Sequence, residues 1–152
     1  MIESYIAIEG PIGVGKTSLA EIIADKLNTR KVLENFKDNP FLEGFYDDPD
    51  ANAFQTQVFF LLQRYQQQQK KIRQLSAFQK GVVTDYMFEK DRLFASFTLK
   101  SQAENELYGH VADILEKDII KPDLVVYLQA DTPRLMKNIK KRGRKFEKGV
   151  TF

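Results

Sequence analysis

Eight residues constrain this chain more than any others: Gly10-Pro11-Ile12-Gly13-Val14-Gly15-Lys16-Thr17. Their spacing is G-x-x-x-x-G-K-T, set between an apolar run from Tyr5 to Glu9 and a helical pattern from Leu19 to Leu27. That is the P-loop signature in the strand–loop–helix context it requires. Its glycines let successive backbone N–H groups turn inward onto a phosphate, and the helix N-terminus adds the positive end of its dipole. The stretch Gly10, Pro11, Ile12, Gly13, Val14, Gly15, Lys16, Thr17 and Ser18 is therefore expected to cradle a nucleotide's phosphates. Lys16 is expected to bridge the β- and γ-phosphates and the Thr17 hydroxyl to hold Mg²⁺.

The 152 residues carry a formal charge of +2, which fits one ordinary domain with a real core. The absence of cysteine excludes disulfides, thiolate zinc sites and thiol catalysis. His110, the sole histidine, lies in a helical pattern and reads as a surface or packing residue. The first strand is expected to begin almost at Met1, so no signal peptide is expected ahead of it, and the longest apolar run, Val58 to Leu62, is too short to span a bilayer. A cytoplasmic protein without a membrane partner is expected. From Arg134 onward, eight basic residues face Glu147 as the only acid. No aromatic residues interleave these charges in a nucleic-acid-binding pattern, so they read as a polyphosphate clamp, with no nucleic-acid partner.

In chain order, strands are expected at 4–9, 31–34, 81–85 and 124–128, and helices at 15–27, 39–46, 51–76, 88–99, 102–120 and 132–141. Asp131 or Thr132 caps the last helix, with Pro133 in its first turn. Strands apolar on both faces alternate with helices, which means a parallel sheet in an α/β fold. Such sheets place their chemistry at the carboxyl ends of the strands. Three of those ends carry candidates: the P-loop, Glu34 and Asp85.

These motifs, with Leu33-Glu34-Asn35-Phe36, Asn39-Pro40-Phe41, Phe45-Tyr46, Phe54-Gln55-Thr56-Gln57, Arg64, Asp85-Tyr86, Asp91-Arg92 and Arg142-Gly143-Arg144, resemble the deoxynucleoside kinase family over the whole chain. The likeness is greatest to bacterial deoxyadenosine/deoxyguanosine kinases. It implies ATP- and Mg²⁺-dependent phosphorylation of a deoxynucleoside 5′-hydroxyl in nucleotide salvage. By resemblance, Glu34 is the general base, Tyr46 and Glu147 hold the 3′-hydroxyl, and Gln57 reads the base edge. Arg64 and Asp91 form a charged pair beside the base, Asp85 lies near Mg²⁺, and Arg142 and Arg144 are lid arginines closing on the phosphates. Gln57 and Arg64, two helical turns apart, share one face. A homodimer through helix 51–76 or 102–120 is implied as well. The alternatives are a thymidylate-kinase-like nucleoside monophosphate kinase, against which Glu34 argues, and a non-catalytic nucleotide-binding fragment. The absence of an Asn-Lys-x-Asp motif argues against GTPase switching.

The chain departs from the family at three points. Tyr86 follows Asp85 where relatives carry arginine, so that contact is absent or comes from elsewhere, Arg92 being one candidate. Asn138 stands where many relatives have an arginine, leaving Lys137 or Lys141 to compensate. The chain also ends at Phe152, close behind the lid region expected at about 142–149. The expectation is a single kinase domain, 1–152, with a doubly wound parallel sheet lacking its last strand and C-terminal helices. An unpaired sheet edge and lowered stability would follow.

Overall fold

The computed structural model describes residues 4–73, 81–144 and 147. They fall into two compact units: Met1–Glu34 with Leu75–Met87 and Lys121–Phe152, and Asn35–Gln74 with Phe88–Ile120.

The first unit holds a parallel sheet of β1 (Ser4–Glu9), β2 (Arg30–Val32), β3 (Gly81–Thr84) and β4 (Leu124–Tyr127), ordered β2-β3-β1-β4. With it go α1 (Lys16–Leu27) and α6 (Thr132–Arg142). Register aligns the carboxyl ends: Ala7 pairs with Thr84, Val32 with Thr84, and Glu9 with Tyr127. The core joins Ile8 and Val83 of the sheet to Ala20 and Ala24 of α1, whose small side chains one turn apart let the helix approach closely. Asn28, in the left-handed conformation, ends α1. Asp131 caps α6, its carboxylate accepting the Arg134 N–H at 2.9 Å, and Gly143 ends that helix at φ 67°. Among the described residues β4 is an outer strand of the sheet, and Leu124, Val125 and Tyr127 on it are exposed.

The second unit is helical: α2 (Leu42–Asp47), α3 (Pro49–Gln67), α4 (Lys90–Thr98) and α5 (Gln102–Glu116). Asp48 caps α3 by accepting the Ala51 N–H at 3.2 Å, with Pro49 at the first position. Its core is Ala53, Leu61, Phe88, Ala95, Leu99, Tyr108 and Ala112. The α3 pattern does not run on as one α-helix to 76. It passes into a π-helical stretch, Gln68–Ile72, and residues 74–76 lie outside the described ones. The widened turn has identifiable work: the buried Gln68 amide donates to the Ile120 carbonyl and accepts the Ile120 N–H, each at 3.3 Å. Tyr65, Gln69 and Arg73 converge on Asp118, where Tyr65 donates at 3.1 Å and Arg73 pairs at 2.6 Å. These bonds, chiefly the one from Arg73, hold the Asp118 carboxyl below its ordinary value.

Smaller shifts follow local chemistry. β2 ends at Val32, so Glu34 lies in the loop beyond it, and α2 starts at Leu42, after the Asn39 side-chain Oδ1 has accepted the Phe41 N–H. α5 ends at Glu116 rather than 120. Among the described residues no helix is long and apolar enough to cross a membrane.

Candidate active site

The phosphate loop owes its shape to three glycines with positive φ: 146° at Gly10, 81° at Gly13 and 104° at Gly15. A Cβ on Gly13 would lie 2.9 Å from the Leu135 carbonyl oxygen and from Ile139 Cγ1, so the loop fits against α6 only because that atom is missing. Asn138, from the same helix, donates to the Gly13 carbonyl at 2.7 Å. The residue read as a departure thus serves as a tie between α6 and the loop. Lys16, the first residue of α1, donates from Nζ to the carbonyls of Gly10 and Pro11 at 2.8 and 3.0 Å. Ser18, one turn position on, is exposed. Beside Pro11 opens a cleft of about 500 Å³ lined also by Tyr127, Gln129, Ala130 and Asp131.

The register explains the next group. Val32 pairs with Thr84, so residues just past the two strands, Glu34 and Asp85, are neighbours at the carboxyl edge. Asp85 Oδ1 accepts the Glu34 N–H at 2.6 Å, and its Oδ2 accepts the Thr17 hydroxyl at 2.5 Å. Burial pushes the Asp85 carboxyl above its ordinary value, against the opposing pull of these two hydrogen bonds. Glu34 itself is half-buried.

Tyr86, in the place of the family's arginine, is wholly buried and brings no cation; its carbonyl accepts the Thr84 hydroxyl at 2.7 Å. Arg92 does not substitute for it. It is committed to Glu116 and Asp113 at 2.9 and 2.7 Å, and those bonds raise its already high value.

Arg142 and Arg144, expected as lid arginines, converge on Glu147. Arg142 binds it through Nε at 3.1 Å and Nη2 at 2.5 Å, and Arg144 through Nη1 at 3.3 Å, while Glu147 itself is 4% exposed. Burial, then the charge of Arg142, draws the Arg144 guanidinium below its usual value, and the Glu147 carboxylate, then that of Glu34, works the other way. Lid residues 145, 146, 148 and 149 lie outside the described ones.

In the helical unit, Gln57, Arg64 and Asp91 are all buried, and Gln57 and Arg64 share the α3 face as their spacing implied. Arg64 pairs with Asp91 at 2.5 Å and lies over the Phe60 ring, 5.1 Å from its centroid. Tyr46, on α2, meets Phe45 edge to face at 5.9 Å. The exposed His110 makes no part of these groups.

Sequence reasoning passed over Glu9. It reads as the polar end of an apolar strand, yet its buried carboxylate accepts the N–H groups of Gly10 and Met87, each at 3.0 Å. The second bond spans 78 positions and leaves no local signature.

A family model described as deoxynucleoside kinase matches residues 6–152. The chain is 39% identical over 146 residues to a deoxyguanosine kinase of Bacillus subtilis (strain 168), covering 96% of this chain and 70% of that protein. It is 34% identical over 153 residues to a deoxyadenosine kinase of Dictyostelium discoideum, covering 98% of this chain and 61% of that protein. Among solved structures, deoxyadenosine kinase from M. mycoides with bound dATP superposes with a TM-score of 0.82 at 25% identity, over 98% of this chain and 76% of that one.

Proposed function

The chain belongs to the deoxynucleoside kinase family, and from that premise we propose that it transfers the γ-phosphoryl group of ATP to the 5′-hydroxyl of deoxyguanosine or deoxyadenosine, in nucleotide salvage in the cytoplasm. The observation that carries this reading is the Asp85 carboxylate, which touches both Thr17 of the phosphate loop and the Glu34 backbone. The purine preference rests on what the relatives are called. The monophosphate-kinase alternative is not favoured, because those relatives are nucleoside kinases.

Phosphoryl transfer passes through a loose transition state in which positioning and electrostatics dominate. The loop from Gly10 to Ser18 wraps the phosphates, and Lys16 turns from its carbonyl partners to the β- and γ-oxygens. The Thr17 hydroxyl and the Asp85 carboxylate are adjacent oxygen ligands of the kind Mg²⁺ takes together with phosphate oxygens, so the pair fits that ion. Bound there, Mg²⁺ supplies charge neutralisation on the phosphates. Glu34 orients the 5′-hydroxyl and accepts its proton, a contribution of about 10²–10⁴-fold. Arg142 and Arg144 close on the transferred group, and Glu147, with Tyr46, receives the 3′-hydroxyl. Gln57 reads the base edge beside the Arg64–Asp91 pair. The working protein is a homodimer using α3 or α5; Leu107 and Ile114 on α5 are exposed.

Incubation with ATP, Mg²⁺ and each deoxynucleoside, with products identified by phosphorus NMR, tests the proposal. A purine deoxynucleoside 5′-monophosphate is expected. Diphosphate formed only from offered monophosphates would overturn it.

A further inference from the structure

Glu9 closes β1 and is 8% exposed, an uncommon place for a carboxylate unless its oxygens are bonded. Both are. Oε2 accepts the Gly10 N–H and Oε1 the Met87 N–H, each at 3.0 Å, while the Glu9 carbonyl accepts the Leu128 N–H at 2.7 Å. One residue therefore fastens the exits of three adjacent strands, β1, β3 and β4.

These contacts bear on the site in two ways. Gly10 is held on both sides: its N–H is already taken by the Glu9 carboxylate, and its carbonyl, in the next peptide, accepts from Lys16 Nζ at 2.8 Å. Its N–H is thereby removed from the donors that face a phosphate. Met87, in turn, ends the short segment that carries Asp85 and Tyr86, and Asp85 holds Thr17 and the Glu34 backbone. We propose that Glu9 is a positioning residue for phosphoryl transfer: its carboxylate sets the spacing between the phosphate loop and the Asp85 segment that orients Glu34. This rests on the kinase reading above.

A carboxylate can accept from both amides at once. A glutamine offers one acceptor oxygen and a donating NH₂, so in Glu9→Gln one of the two N–H groups faces another donor. Misplacement of the reacting groups lowers turnover more than ground-state binding. The test is steady-state kinetics of Glu9→Gln and Glu9→Ala beside the wild type, with thermal melts and amide hydrogen exchange at Gly10 and Met87. The expected result is a kcat lowered about tenfold in Glu9→Gln and further in Glu9→Ala, with the KM for ATP changed less than about twofold. Exchange should accelerate at one amide in Glu9→Gln and at both in Glu9→Ala. Removing a negative charge beside the phosphate loop does not weaken nucleotide binding, so kcat falling while KM holds separates positioning from general damage. A wild-type kcat in Glu9→Gln, or kcat, KM and melting temperature worsening together, would overturn the inference while the kinase reading stands. A wild type that phosphorylates no deoxynucleoside would overturn the kinase reading, and the turnover claim for Glu9 with it.

Discussion

Asp85 holds Glu34 by its backbone: Oδ1 of the one accepts the N–H of the other at 2.6 Å, and the same carboxylate takes the Thr17 hydroxyl at 2.5 Å. The proposed base and the phosphate loop are thereby referred to one buried acid. What the acid costs and what it contributes can be separated by experiment.

Asparagine at 85 can still accept the Glu34 N–H through Oδ1 and donate to the Thr17 oxygen, so the geometry survives while the charge is lost. Burial raises the Asp85 carboxyl above its ordinary value of 3.8. The folded state therefore holds the proton more tightly than the unfolded chain. The stability this confers is complete below the unfolded value and is lost as pH rises through the folded one. Asp85→Asn should melt no lower than wild type at about pH 8, and should lack this group's loss of stability with rising pH. Its kcat should fall by about 10² or more, because the carboxylate proposed to hold Mg²⁺ has become neutral. Melting curves across pH with parallel kinetics check both parts.

Gly13 and Gly15 both have positive φ, yet they differ in surroundings. A Cβ on Gly13 meets the Leu135 carbonyl and Ile139 at 2.9 Å, whereas one on Gly15 has nothing within 4 Å. Gly15→Ala should cost only the left-handed backbone penalty, about 1–2 kcal/mol. Gly13→Ala must also push α6 away and should abolish measurable ATP binding. Calorimetric titration of the two variants distinguishes them.

The Arg64–Asp91 pair has side chains only 6% and 5% exposed. Arg64→Ala leaves a buried carboxylate without its cation and should destabilise by about 3–5 kcal/mol. Asp91→Asn with Arg64→Met, which removes both charges, should recover much of that loss in urea unfolding while still impairing acceptor selection.

The Tyr108 hydroxyl is buried and has no hydrogen-bond partner among the described residues. Burial, reinforced by the charge of Asp91, pushes its ionisation far above the ordinary range. An unmet hydroxyl of this kind costs about 1–3 kcal/mol, so Tyr108→Phe should be at least as stable as wild type and fully active. Denaturant unfolding measures the difference.

Much of this was legible in the sequence because it is local. Gly10 and Pro11 end β1, Gly15 precedes α1, Gly81 begins β3 and Pro122 precedes β4, and G-x-x-x-x-G-K-T needs no long-range information. The boundaries that moved are where side chains act at a distance. Gln68 belongs to a polar run that reads as a wet helix face, yet it is buried against Ile120 through a widened turn. Arg92 resembled a replacement cation but is spent on α5. Glu9 and Asn138 were invisible as site residues because their partners, Met87 and Gly13, lie 78 and 125 positions away. The substrate assignments of Tyr46 and Gln57 come from the family resemblance, since neither position is distinctive in its own neighbourhood.

The central claim is that the acceptor is a 5′-hydroxyl deprotonated by Glu34. Transfer of radiolabelled γ-phosphate from ATP to deoxyguanosine and deoxyadenosine, each beside its analogue lacking the 5′-hydroxyl, tests it most directly in wild type and Glu34→Gln. Labelled monophosphate is expected from the natural deoxynucleosides alone, with a rate reduced about 10²-fold or more in Glu34→Gln. Label reaching the analogues, or an unchanged rate in Glu34→Gln, would contradict it.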